Sequence, residues 1–339
     1  MTANLQNPIF TDETKAREWL EARVWPNGPV CPHCGATGDD VKALNGKAHR
    51  PGLYQCSQCR EQFTVTVKTV FERSKIPLSK WLAALFLMTA SKKGVSAHQV
   101  HRSLGISYKS SWFMCHRLRE AMRQGGLLPP MGSKSGIVES DETYVGTVEG
   151  EGGREAARAR IRRAKKGRPG RSHKNAVLTL VERGGRARSF HISGSAISDI
   201  MPIVRENVSR EATIMTDEAK HYYDIGKEFS GHATVTHSAD EYVRHEVWID
   251  KADKLHVEPI HTNTVEGYYS IFKRGMKGVY QHCSEKHLHR YLAEFDFRYN
   301  TRAKLGFNDL MRAEALASGI KGKRLTYRRP DKINKPLSY

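Results

Sequence analysis

Apolar residues recur at helical spacing through residues 77–124, where three segments follow one another. The first starts at Pro77 and Ser79 and carries Trp81, Leu82, Leu85 and Phe86 on one stripe. Ser96-Ala-His-Gln99 has the form of a capping box, Val100 and Leu104 are core positions of the second segment, and Gly105 ends it. Ser107 caps the third, whose apolar side is Tyr108, Trp112, Cys115, Leu118 and Met122. Lys109, Ser110, His116, Arg117, Arg119 and Arg123 cover much of the rest. Helix, tight glycine turn and basic helix is the helix-turn-helix order, with Lys109, Ser110 and Ser111 at base edges and Arg117 and Arg119 at phosphates. The plainer alternative is a helical linker with a solvated basic face. A short helix, capped by Thr11, is expected over residues 10–22.

The second half reads differently. GIVESDETYVG (136–146) predicts a strand that carries Asp141 out of a core. NAVLTLVER and RARSFHIS flank Gly184-Gly185 and predict a hairpin with a two-residue turn. A capped amphipathic helix is expected from Ser195 to Val204, a strand over 212–217 ending on Asp217, and a short strand at 233–237. In the helix after Pro259, Glu266, Ser270, Lys273 and Lys277 share one face, and Val265, Tyr269, Phe272 and Met276 another. A last helix, 286–300, buries Leu288, Tyr291, Leu292 and Phe295. Strand, hairpin partners, helix, strand, helix, short strand, helix is the order of a ribonuclease H-like domain with a mixed sheet.

Charge narrows the partner. A net charge of +19 over 339 residues attracts polyanions, above all nucleic acid. Residues 154–174 hold ten Lys or Arg against one acid, Glu155, and predict an exposed arm whose Arg162, Arg163, Lys165 and Lys166 clamp phosphates. The first 30 residues are acidic rather than signal-like, and the longest apolar run, 81–88, is too short for a membrane span. A cytoplasmic, nucleoid-associated protein is expected. Disulfides are rare there, so the doubled CxxC pattern needs another account. Cys31 and Cys34, then Cys56 and Cys59 after 21 residues, match tetrahedral zinc spacing and close the shell with four thiolates, which makes the zinc structural. Tyr54 and the alternating Phe63, Val65 and Val67 fit the strands of a zinc ribbon.

Two strand-borne aspartates and a helix-borne glutamate, Asp141, Asp217 and Glu266, could hold two magnesium or manganese ions for phosphodiester chemistry. Glu266 has a second reading, since Asn263-Thr-Val-Glu266 could simply cap its helix. Lys273 could hold a phosphate.

The zinc knuckles, DETYVG, the basic insert, TDEAKHYY (216–223), HTNTVEGYYSIFKRGMKGVYQH (261–282) and RYLAEFDFRYN (290–300) together resemble the insertion-sequence transposases of the IS1595 family, also called ISXO2-like. The resemblance spans nearly the whole chain. It implies a DDE transposase with Asp141, Asp217 and Glu266 as catalytic metal ligands and Lys273 as a DNA contact. It also implies transposon terminal inverted repeats and target DNA as partners, no membrane, and a homo-oligomer in the synaptic complex. The expected organisation is a multidomain chain mixing α+β and α/β parts. An N-terminal helix and zinc ribbon span 1–72, helix-turn-helix-like helices 75–125, the ribonuclease H-like core 133–300, and a basic extension 301–339. The rivals are a domesticated, non-catalytic DNA-binding regulator and a ribonuclease H-like nuclease that cuts without joining.

Overall fold

The computed structural model describes residues 6–123, 128–133, 136–146, 174–194, 196–217, 228–235, 243–249 and 255–326. The arm with Arg162, Arg163, Lys165 and Lys166 lies outside them, as does the helix expected between residues 217 and 231. The chain divides into two units, one of Met1–Gln124 with Phe307–Tyr339 and one of Gly125–Gly306. No helix among the described residues is long and apolar enough to cross a membrane.

In the first unit, α1 (Glu13–Val24) is capped by Asp12 rather than Thr11; the Asp12 carboxylate accepts the N–H groups of Thr14 at 2.7 Å and Lys15 at 3.0 Å. Thr11 sits one residue early and donates its hydroxyl to the Pro8 carbonyl. Strands β1 (Val41–Ala43), β2 (Tyr54–Cys56) and β3 (Gln62–Phe63) form a small antiparallel sheet. Trp25, Tyr54 and Phe63 pack their rings beside it with centroids 5.3–5.9 Å apart. The alternation of Phe63, Val65 and Val67 does not prolong β3. Successive turns, with Lys68 and Arg73 at positive φ, curl the chain and still bury Val65.

Helix α2 (Leu78–Ala90) starts after Pro77 and lacks a side-chain cap of its own. Its orphan donors, Leu78 N–H and Ser79 N–H, are taken by the Glu13 carboxylate at 2.7 and 3.0 Å. Helices α3 (Ala97–Leu104) and α4 (Tyr108–Met122) follow, capped by Ser96 and Ser107, with Gly105 in the left-handed region between them. The end of the chain then returns, because α8 (Asp309–Ser318) packs on α1 and α2. (Helices α5, α6 and α7 belong to the second unit.) Ile320 is fully buried, and Lys321 bridges Thr69. Of the segment expected as a basic extension, 301–339, residues 307–326 are therefore described as part of this unit.

That return corrects the reading of α4. Arg117 and Arg119 do not face phosphates: both are buried, as is His116. Arg117 reaches inward to donate Nε to the Leu325 carbonyl at 3.1 Å and Nη1 to the Glu72 carbonyl at 2.9 Å. With α2 and α3 on one side and the returning chain on the other, only the first turn of α4 is open. There Tyr108 and Lys109 are exposed and Ser110 is half-buried.

In the second unit a five-stranded sheet runs in the order β6-β5-β4-β7-β8, comprising β4 (Ile137–Val145), β5 (Asn175–Glu182), β6 (Ala187–Ile192), β7 (Thr213–Asp217) and β8 (Gly231–Val235). β4, β5 and β6 are antiparallel; β7 and β8 continue parallel to β4. Helix α5 (Ile197–Asn207) covers one face over Val138, Leu178, Leu180 and Ile214. It begins after Ala196 with no side-chain cap bond. Helices α6 (Asn263–Gly275) and α7 (Glu285–Asn300) cover the other face over Val145, Val177, Val181 and Ala187. A separate hairpin pairs β9 (Arg244–Ile249) with β10 (Leu255–Ile260), which leads into α6. The β5–β6 turn closes through Glu182 N–H to the Arg186 carbonyl, so three residues rather than two make it, and only Gly184 takes a positive φ, of 70°.

Arg117→Met should cost about 2–4 kcal/mol, the usual scale for charged hydrogen bonds lost from buried carbonyls. Urea unfolding measures this. The salt dependence of DNA binding should stay unchanged, the opposite of what a phosphate contact gives.

Candidate active site and zinc centre

The four knuckle cysteines converge, with all Sγ atoms within 4.8 Å of one another. Cys31–Cys59 and Cys34–Cys56 stand 3.6 Å apart, too far for a disulfide and close to the edge, about 3.8 Å, of a tetrahedron with zinc–sulfur bonds of about 2.3 Å. The two knuckles share a local design. Each second cysteine is followed by a residue at positive φ, Gly35 at 85° and Arg60 at 61°. Asp40 braces the second knuckle, accepting from Ser57 Oγ at 2.8 Å and Gln58 Nε2 at 2.7 Å. Burial opposes ionising Cys31, but backbone N–H groups of Cys34 and His33 and the neighbouring thiols outweigh it and bring it down to about 7. With four closed thiolate positions, the cluster fits a structural zinc. Cys31→Ser should release the metal and unfold residues 25–70 while leaving the second unit's sheet formed; metal analysis and circular dichroism check this.

The acidic residues meet on the second unit. Residue n of β4 pairs with n + 76 of β7, from Ile137–Thr213 to Glu139–Met215. Asp141 and Asp217 have that same separation, so they occupy one level and one face of adjacent parallel strands. It is the face covered by α6. That helix comes down on β4 at Asp141 itself, since the Tyr269 hydroxyl donates to the Asp141 carbonyl. Glu266 is exposed in the first turn of α6, and Ser270 and Lys273 follow along its open side, with the Lys273 ammonium 5.7 Å from the Tyr269 ring centroid.

The electrostatics record the gathering. Burial, then the charges of Glu142 and Asp217, and lastly Glu266, push the Asp141 carboxyl up to about 7. Its carboxylate receives the Glu142 N–H at 2.7 Å. The three carboxylates are not drawn into a closed shell; among the described residues the cysteines alone converge in that way.

Sequence reasoning missed Glu139, Glu142 and Arg183. Glu142 lies beside Asp141 but on the opposite face by strand parity. Glu139 is completely buried two residues before Asp141, and an acid inside the apolar run Ile137-Val138 was its visible signal. Arg183 leaves the β5–β6 turn to donate Nε to Glu139 Oε1 at 2.8 Å. Glu139 also accepts the N–H groups of Thr264 at 2.8 Å and Val265 at 3.0 Å. The Thr264 and Val265 donors are thus already satisfied, Thr262 rather than Asn263 is the N-cap position, and Glu266 meets that end of the helix through the Thr262 hydroxyl, which donates to its Oε1 at 3.4 Å.

Residues 134–300 match the model of the ISXO2-like transposase domain, and residues 11–62 that of the transposase zinc-ribbon domain. The chain belongs to the ISXO2-like transposase family. A protein of the transposable element ISH50 of Halobacterium salinarum is similar to this transposase, at 25% identity over 300 residues that cover 88% of the chain and 94% of the relative. The transposase zinc-ribbon match contains all four converging cysteines, and the domain match contains Glu139, Asp141, Glu142, Asp217 and Glu266.

The Asp141 carboxyl sets a pH dependence. Its proton is held more tightly folded than unfolded, so its contribution to stability is full below about pH 4 and is lost as pH rises through about 7. Asp141→Asn should therefore melt several degrees above the wild type at pH 8 without divalent metal, and the difference should vanish near pH 4. Calorimetry across that range tests it.

Proposed function

We propose that this transposase cuts and joins DNA at a divalent-metal site supplied by Asp141, Asp217 and Glu266. The observation that carries the reading is the gathering of Asp217 and Glu266 close enough to Asp141 for their charges to raise its carboxyl, in a chain whose net charge is +19. The donors are hard carboxylate oxygens, which suit magnesium or manganese. Two such ions would activate an attacking oxygen and stabilise the leaving one. Asp141 would have to bind such an ion as the carboxylate, and Asp217 faces it from the next strand. Tyr269 fixes the backbone of Asp141, and Glu266 closes the site from α6. Ser270 and Lys273, on the same open side, lie where a phosphodiester backbone would leave the site. The sheet order, three antiparallel strands continued by two parallel ones with helices on both faces, supports a ribonuclease H-like core; fold likeness alone would not argue for the chemistry.

End recognition belongs, in this reading, to the zinc ribbon and the α3–α4 helices acting as a helix-turn-helix. The DNA-facing residues there narrow to the open first turn of α4, with Lys109, Ser110 and the exposed Tyr108, whose ring stacks on His98 at 4.1 Å. Terminal inverted repeats and target DNA are the substrates, held by a homo-oligomer.

Purified Glu266→Gln decides between the readings. Since the α6 donors bond to Glu139, glutamine at 266 leaves the helix start intact. Gel shift on end DNA should be unchanged, whereas joining of a precut end with magnesium or manganese should collapse. Undiminished joining removes Glu266 from the site. A wild-type chain that binds ends but neither cuts nor joins would be a regulator, and one that only cuts would be a nuclease.

A further inference from the structure

Helix α6 carries Glu266, so whatever fixes its first turn fixes that carboxylate. Two first-turn donors, Thr264 N–H and Val265 N–H, are not satisfied by a residue at the helix start. They cross to the neighbouring strand, where both oxygens of one carboxylate serve them. Glu139 Oε2 accepts Thr264 N–H at 2.8 Å and Val265 N–H at 3.0 Å, and Oε1 accepts the Thr264 hydroxyl at 2.7 Å. The same Oε1 takes Arg183 Nε at 2.8 Å. Arg183 spends its other nitrogens on the chain leading into the helix, donating to the Pro259 carbonyl at 2.6 Å and the His261 carbonyl at 2.9 Å. His261 adds its own ring, with Nδ1 3.2 Å from Glu139 Oε1. Glu139 is wholly buried and Arg183 is 16% exposed, so solvent competes little for these bonds.

We propose that Glu139 is a positioning residue for the transposase reaction: through α6 and the Arg183 guanidinium it holds Glu266 at the level of Asp141. The proposal rests on the metal-site reading given above. Its geometric basis is that Glu139 and Asp141 are two residues apart on one face of one strand, so the clamp and the reacting level share a single rigid element. A one-strand link of this kind transmits a shift at Glu139 directly to the separation of Glu266 from Asp141. Arg183 does the same for the segment 259–261, keeping β10 from pulling the helix start away.

A stabilising role and a positioning role come apart in a paired substitution. Glu139→Gln alone leaves a buried guanidinium unpaired and is expected to destabilise. Glu139→Met with Arg183→Met removes both charges and, as for other buried ion pairs replaced by apolar residues, should keep most of the stability. The readouts are melting temperature, hydrogen exchange of the Thr264 and Val265 amides, binding of Mn²⁺ alone followed by electron paramagnetic resonance, and joining of a precut end. The double variant should melt near the wild type. Its two amides should lose protection, and Mn²⁺ affinity and joining should each fall about 10- to 100-fold, the range for residues that orient metal ligands. Unchanged amide protection, or wild-type Mn²⁺ binding and joining in a well-folded double variant, would overturn the proposal. Loss of Mn²⁺ binding in Asp141→Asn with no effect in the double variant would leave the metal site standing and remove Glu139 from it. Protection lost in the double variant of a wild-type chain that binds no Mn²⁺ would count against the metal site, and with it against the positioning role.

Discussion

A charge taken out of water must be met by donors or opposite charge, and the second unit is built around that requirement. Glu139 is met by Arg183 and the start of α6. Glu294 is met by Arg298 and the Tyr280 hydroxyl. Asp296, which burial pushes up to about 6, is met by Tyr268 at 2.6 Å and by the hydroxyl and N–H of Ser189 at 2.7 and 2.8 Å. Each of these links a helix to the sheet or to the turn that follows a helix. Asp141 departs from the pattern, with three acids near it and one backbone donor.

The local signals were legible. Doubled CxxC spacing, the Ser96 and Ser107 caps and the two faces of α6 depend on residues within one or two turns of each other, and the structure follows them. What failed involves partners distant in sequence. Arg117 and Arg119 look like a basic face because nothing nearby reveals the segment at 319–326 that encloses them. Glu13 caps α2 from 65 residues away, and Glu139 caps α6 from 125. The alternation at Phe63, Val65 and Val67 mimicked a strand because successive turns can also bury every second residue. Of the candidate site, the strands that carry the two aspartates were readable, Asp141 within β4 and Asp217 at the end of β7. The surrounding carboxylate, guanidinium and tyrosine were not, because their meaning lies in register.

Basicity also divides by burial. A count of Lys and Arg treats every cation as available to DNA, yet Arg117, Arg119, Arg188 and Arg298 are interior groups. Lys273 and the first turn of α4 remain on the outside. The charge that recruits a polyanion is therefore carried by fewer residues than composition suggests, and those on α6 lie in line with an acid rather than apart from it.

The returning C-terminal segment has a consequence for synthesis. Residues 125–306 are an insertion within a discontinuous unit whose helix α8 leaves the ribosome only after them. The acidic sheet can complete its fold while α1 and α2 still wait for α8 to cover them. A nascent chain thus holds its acidic sheet before the apolar surface of its first helices is shielded, so the first unit is the one exposed to misassembly during synthesis.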